Sequence, residues 1–110
     1  MILDIPNPPT LHRPNPHERE RLVQLVRDQL DGPLQRKLWV VSFDLYGKWF
    51  KSNGEPTENN TDNCVKALLD IIAEAGGLGK RGRGDCWLDR RMGHVRAHSA
   101  EDARAVVELE

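Results

Sequence analysis

The residues with most chemistry to offer stand between Asn60 and Asp70, with one further acid at Asp89. Asn60, Asp62 and Asp89 carry the oxygen side chains that a hard divalent cation takes. Magnesium asks for one or two carboxylates and fills its shell with waters and substrate phosphates, so a sparse set is chemically sensible. Lys66, one helical turn after Asp62, is spaced to neutralise charge developing on a phosphate or to orient a water. The same spacing has a plainer meaning. An Asn or Asp at a helix start caps it, and a Lys four residues after an Asp makes an exposed ion pair worth only about 0.3 to 0.5 kcal/mol. Asp70, another turn on, shares the face of Asp62 and Lys66 by spacing.

Around this stretch the charge is uneven. The 110 residues carry a net charge of -1, which does not announce a nucleic-acid binder. Between Gly79 and Arg96, however, six basic residues face two acidic ones, against ten and fifteen elsewhere. A local excess of this kind suits a polyanionic partner, and it also suits an ordinary solvated loop. Residues 76–84 hold five glycines with Lys80, Arg81 and Arg83 and one apolar residue, Leu78. They read as a flexible basic loop in which backbone and phosphate can approach closely, with Arg90 and Arg91 just beyond it. A helix rather than a strand precedes its glycines, which excludes a dinucleotide fingerprint.

Four histidines, His12, His17, His94 and His98, make no His-x-x-x-His helix motif. His94 and His98 fall on one strand face, but zinc needs further ligands that the sequence does not place, so they read as surface or core histidines. Cys64 and Cys86 form no Cys-x-x-Cys pair, and Cys64 sits beside an apolar stripe as a small buried residue. Such usage fits a reducing cytoplasm. No apolar run reaches the roughly 18 residues of a membrane span and no basic-then-apolar leader opens the chain.

The elements that must position these residues follow from periodicity. Met1–Ile5 reads as a strand closed by Pro6-Asn7-Pro8-Pro9. Asn15-Pro16-His17-Glu18 announces a helix whose apolar stripe is Leu22, Val23, Val26 and Leu30 and which Asp31-Gly32-Pro33 ends. Leu38–Tyr46 alternates as a strand, with Trp39, Val41, Phe43 and Leu45 on its more apolar face. Gly47–Thr57 reads as a loop, or the tail of that strand, with partly exposed Trp49 and Phe50. A helix from about Asp62 to Ala75 buries Val65, Leu68, Leu69 and Ile72, and Gly76-Gly77 stops it. His94–His98 and Arg104–Leu109 alternate again as strands. The result is a single α+β domain over residues 1–110, in β-α-β-α-β-β order, with a mixed sheet and both helices on one face.

The segment Asn60-Thr61-Asp62-Asn63-Cys64-Val65-Lys66, followed by Ala67-Leu68-Leu69-Asp70, resembles the Asp-x-Asp-Asn-x-x-Lys-x-x-x-Asp signature of the RusA-type Holliday junction resolvases. The element order is similar over nearly the whole chain, from the strand closed by Pro8-Pro9 to the apolar-then-acidic Trp87-Leu88-Asp89 and the last two strands. The resemblance implies a homodimeric endonuclease, dependent on magnesium or manganese, that cuts four-way DNA symmetrically with three aspartates and a lysine at each centre. It assigns catalysis to Asp62, Lys66 and Asp89, metal to Asp62, Asp89 and Asn60, and DNA backbone contacts to Lys80, Arg81, Arg83, Arg90 and Arg91. Two positions depart from the pattern. Asn60 replaces the first aspartate, which keeps an oxygen donor and loses a charge. The third acid is Asp89 when the chain is aligned back from Val95-Arg96, whereas alignment forwards from Trp87 puts Arg90 there. A catalytically silent DNA-binding protein is the rival expectation, and a protein-interaction module is a third.

Overall fold

A computed structural model describes residues 1–78 and 88–110. It contains strand β1 (Ile2–Pro6), helix α1 (Pro16–Gln29), strand β2 (Trp39–Gly47), helix α2 (Glu58–Ala75), and strands β3 (Arg90–Ser99) and β4 (Arg104–Leu109). Of the expected basic loop at residues 76–84, residues 79–84 lie outside the described residues, and with them Lys80, Arg81 and Arg83; Cys86 lies outside them as well.

The four strands form one mixed sheet in the order β1-β4-β2-β3. β4 runs antiparallel to both β1 and β2, and β2 is parallel to β3. Thus β1, β2 and β3 all point the same way, and each crossover, through α1 and then α2, moves in the same direction across the sheet. Right-handed crossovers that move in one direction must lay their helices on one face. The expected α+β layer with both helices on the same side follows, and among the described residues no helix lies on the opposite sheet face.

The covered face is the core. Leu3 and Ile5 of β1, Val41, Phe43 and Leu45 of β2, and Ala105 and Val107 of β4 are all wholly buried, as are Leu22 and Val26 of α1 and Leu68, Ile71 and Ile72 of α2. Strand alternation supplies the sheet half of this core and the 3.6-residue repeat supplies the helix half. The two helices are tied at their outer edge by Arg19, 8 % exposed, which donates from Nε (3.1 Å) and Nη2 (2.8 Å) to Glu74 Oε2.

The ends of the helices differ in how well local sequence marks them. Asn15 caps α1 as expected, its side-chain oxygen accepting from the Glu18 amide at 2.9 Å. α2 begins a full turn before Asp62, at Glu58, with Thr57 as its N-cap. Thr57 makes no side-chain cap. Its amide and its hydroxyl both donate to the Trp49 carbonyl (2.7 Å each), so that it clamps the 48–57 loop instead. Trp49 is itself buried, at 3 % exposure, rather than displayed, and Phe50 packs partly against the core. Among the described residues no helix is long and apolar enough to cross a membrane.

Candidate functional site

The early start of α2 decides how its polar side chains are shared out. At 100° per residue, positions two apart point to nearly opposite sides. Asp62 faces a hollow of about 530 Å³ between the first turns of α2 and strand β3, lined by Glu58, Asn59, Thr61, Asp62, Val65, Met92 and Val95. Asn60 opens onto a different hollow, with Lys51, Thr57, Glu58 and Asn59. The two oxygen donors that the sequence places side by side therefore serve separate surfaces.

Asp62 and Lys66 do come together. Lys66 Nζ lies 2.9 Å from Asp62 Oδ2, and the two side chains are 52 % and 62 % exposed. Asp70 does not continue this face into solvent. It is 8 % exposed, with His12 Nε2 3.9 Å from its Oδ2, because the helix dives beneath the β1–α1 connection within one turn. A shared spacing gives a common stripe but not a common environment.

Asp89 stands exposed just ahead of β3, where its carbonyl accepts from the Trp39 amide at 3.0 Å, and Leu88 beside it is buried. Its position is three residues before Met92, about 10 Å along an extended chain. Asp89 thus heads the strand that forms one wall of the Asp62 hollow, without lining the hollow itself. Arg90 is in register with the core residue Trp39, and Arg91 with Val40. Alternation sends them to opposite faces of the sheet, so they do not act as one basic patch.

Strand β3 also carries an extra residue. Between the pairs Val41–Met92 and Phe43–Val95 the partner strand advances two residues and β3 advances three. The bulge centres on Gly93, where a Cβ would collide with the Ser42 hydroxyl, and the His94 amide donates to Ser42 Oγ at 3.3 Å. Its effect is to bring Met92 and Val95 to the same side, where they stay 41 % and 46 % exposed against the hollow. On the other side it aligns His94, Arg96 and His98.

Those two histidines, read from sequence as ordinary surface or core residues, share one acid. His94 Nε2 lies 2.9 Å from Asp44 Oδ2 and His98 Nε2 lies 2.8 Å from Asp44 Oδ1. The His94 and His98 hydrogen bonds, in that order, hold the Asp44 carboxyl below its ordinary value. An ionised carboxylate only accepts, so both Nε2 atoms donate. The His98 ring also stacks on Tyr46 at 4.6 Å between centroids. Asp44 was missed because nothing local marks it. Its place as one of the alternating residues of β2 sets its face, but its histidine partners come from the β2–β3 register. Among the described residues no group of three or more His, Cys, Asp or Glu side chains has an arrangement that could hold a metal ion.

The Cys64 thiol is wholly buried, and burial pushes its pKa up to about 12. It is a packing residue and takes no part in the surface chemistry.

No family model matches the chain. No curated protein sequence matches it either.

Proposed function

We propose that the chain is a RusA-like, structure-selective endodeoxyribonuclease that acts as a homodimer on four-way DNA and hydrolyses phosphodiesters with a divalent metal. The observation that carries the reading is the Asp62–Lys66 pair, 2.9 Å apart and open to solvent at the mouth of α2 beside β3. These are two of the four signature positions, with Asn63 and Asp70, at which the sequence keeps the resolvase pattern unchanged. The strand and helix order, with a mixed sheet covered on one face, is consistent with the same resemblance.

The donor set fits magnesium in a limited sense. Asp62 offers an exposed carboxylate in the hollow, and Asp89, at the head of the neighbouring strand and outside the hollow's lining, would be the second that this ion takes from a protein. Asn60, on the far side of the helix, is left out. Magnesium bound there supplies a Lewis acid and lowers the pKa of a water. Asp62 would hold the ion, and Lys66, one turn on and paired with Asp62 at 2.9 Å, would stabilise charge growing on the phosphate. Arg91 and the basic residues of 79–87 hold the DNA backbone, and their affinity falls with salt as counterions are released.

A catalytically silent DNA-binding protein on the same fold is the second reading. Asn60 favours it, since an amide in place of the first signature acid removes a full charge from the centre. The deciding experiment offers a synthetic four-way junction with magnesium or manganese. The nuclease reading expects paired nicks from the wild type, and binding without cutting from Asp62→Asn. Salt-dependent binding with no cleavage at any metal concentration supports the silent protein, and absence of binding dismisses both.

A further inference from the structure

The sheet face away from the helices carries a second constellation, opposite the Asp62 hollow. On β3 the bulge at Gly93 puts His94, Arg96 and His98 at alternate positions of one face, about 6.6 Å apart along the strand. Arg96 is in register with Asp44, the acid that both histidines share. Arg91 lies further up the same strand, in register with Val40, and neither Arg91 nor Arg96 makes a salt bridge among the described residues. The charged and titratable neighbours on this face are Asp44 and Tyr46 of β2, Arg104 and Glu108 of β4, Glu110 paired with Val40, Asp4 of β1 and the Met1 amino group; Glu108, held above its ordinary value by a hydrogen bond with Glu110, also senses His94. Arg104 is already paired with Asp4 of β1. Among the described residues no helix covers this side.

Asp44 determines what the imidazoles can do. With each Nε2–H committed to one carboxylate oxygen, the only ring atom left for a ligand is Nδ1. In the neutral ring that atom accepts, and in the imidazolium it donates. A row of two guanidinium groups and two fixed imidazoles is then a set of phosphate donors, of which two switch on with protonation. A single metal ion is a poorer fit. Both Nε2 atoms are taken up by Asp44, and among the described residues no group of three or more His, Cys, Asp or Glu could hold a metal ion.

We propose that His94, Arg96 and His98, oriented by Asp44, form a contact for the phosphate backbone of nucleic acid that strengthens as the histidines protonate. The proposal rests on the reading of the chain as a DNA-handling protein and adds to it the sheet face opposite the Asp62 hollow. The strand edge would then be gripped on both sides, with the Asp62 hollow on one and the imidazole row on the other.

The test measures binding of a fluorescent four-way junction by the full chain in EDTA, at pH 5.8 and 7.8, from 50 to 200 mM salt. Two added phosphate contacts predict binding about tenfold tighter at pH 5.8, with a salt slope steeper by about one to two. His94→Gln with His98→Gln is expected to abolish that increment, and each single variant to lose about half of it. Arg96→Gln is expected to lower the slope by about one at both pH values. Far-ultraviolet circular dichroism checks that each variant folds, and the single variants carry the test should the double one fail to. An increment that survives loss of the imidazoles overturns this proposal and leaves the nuclease reading standing, as does a wild type that binds DNA without any increment. Equal pH-dependent binding of a polyglutamate peptide overturns the assignment to nucleic acid. A wild type that binds no DNA at either pH overturns both.

Discussion

Replacing Lys66 by methionine separates the structural worth of the Asp62–Lys66 pair from its chemical worth. The ammonium and carboxylate are 2.9 Å apart with more than half of each side chain in water. At that distance two unit charges attract by about 1.4 kcal/mol in bulk water. Holding a long lysine chain in one geometry offsets most of this, and i to i+4 pairs on helices retain about 0.3 to 0.5 kcal/mol. Methionine keeps the helix propensity and the aliphatic stem, so Lys66→Met should shift the urea midpoint by the equivalent of no more than about 0.5 kcal/mol. A cycle with Asp62→Asn should give a coupling of the same size. Cleavage should respond on another scale, because a charge aimed at a developing oxyanion is worth about 3 kcal/mol. Single-turnover cutting of a four-way junction should fall about a hundredfold or more. Stability lost by more than about 1.5 kcal/mol would make the pair a structural clamp, and a cleavage rate within threefold of wild type would remove Lys66 from the reaction.

Further outcomes follow from the packing. Gly76 has an ordinary backbone, φ -80, but a Cβ there would lie 2.5 Å from Leu34 Cδ1. Gly76→Ala should therefore cost about 1 to 3 kcal/mol by chemical denaturation, and Leu34→Ala in the same chain should make the two losses less than additive. Glu74→Gln strips the buried Arg19 of its charged partner and should cost about 1 to 3 kcal/mol, measured the same way. Asp44 is held below its usual value of 3.8, so the stability it contributes is fully present above that pH and is lost as pH falls through the lower folded value. Asp44→Asn should flatten the acid limb of the stability profile below pH 3.8. In a Cys86→Ser background the Cys64 thiol should resist alkylation at pH 8 until the chain unfolds.

Much of the frame could be read from local pattern. Trp39, Val41, Phe43 and Leu45 alternate, and they form the buried face of β2; Asn15 and Pro16 start α1 where their chemistry demands. The start of α2 was misjudged because Asn60 and Asp62 look like caps. The residue that begins the helix, Thr57, spends its hydroxyl on the Trp49 carbonyl, a contact eight residues back that no capping rule contains. Strand β3 was expected only at His94–His98, since Arg90, Arg91 and Gly93 dilute its pattern, and its parallel pairing with β2 is what extends it to ten residues. The candidate centre divides in the same way. Asp62 and Lys66 are related by helical spacing alone and were found. Asp44 meets His94 and His98 across fifty residues or more through strand register, which a single sequence does not display.

The most direct measurement of the central claim is a divalent-metal titration of four-way junction cleavage by the wild-type chain, run beside Asp62→Asn at matched DNA occupancy. Paired, symmetric nicks should appear with magnesium or manganese and vanish in the variant while the shifted complex persists. Occupied junction that stays intact throughout the titration, or equal cutting by Asp62→Asn, would contradict it.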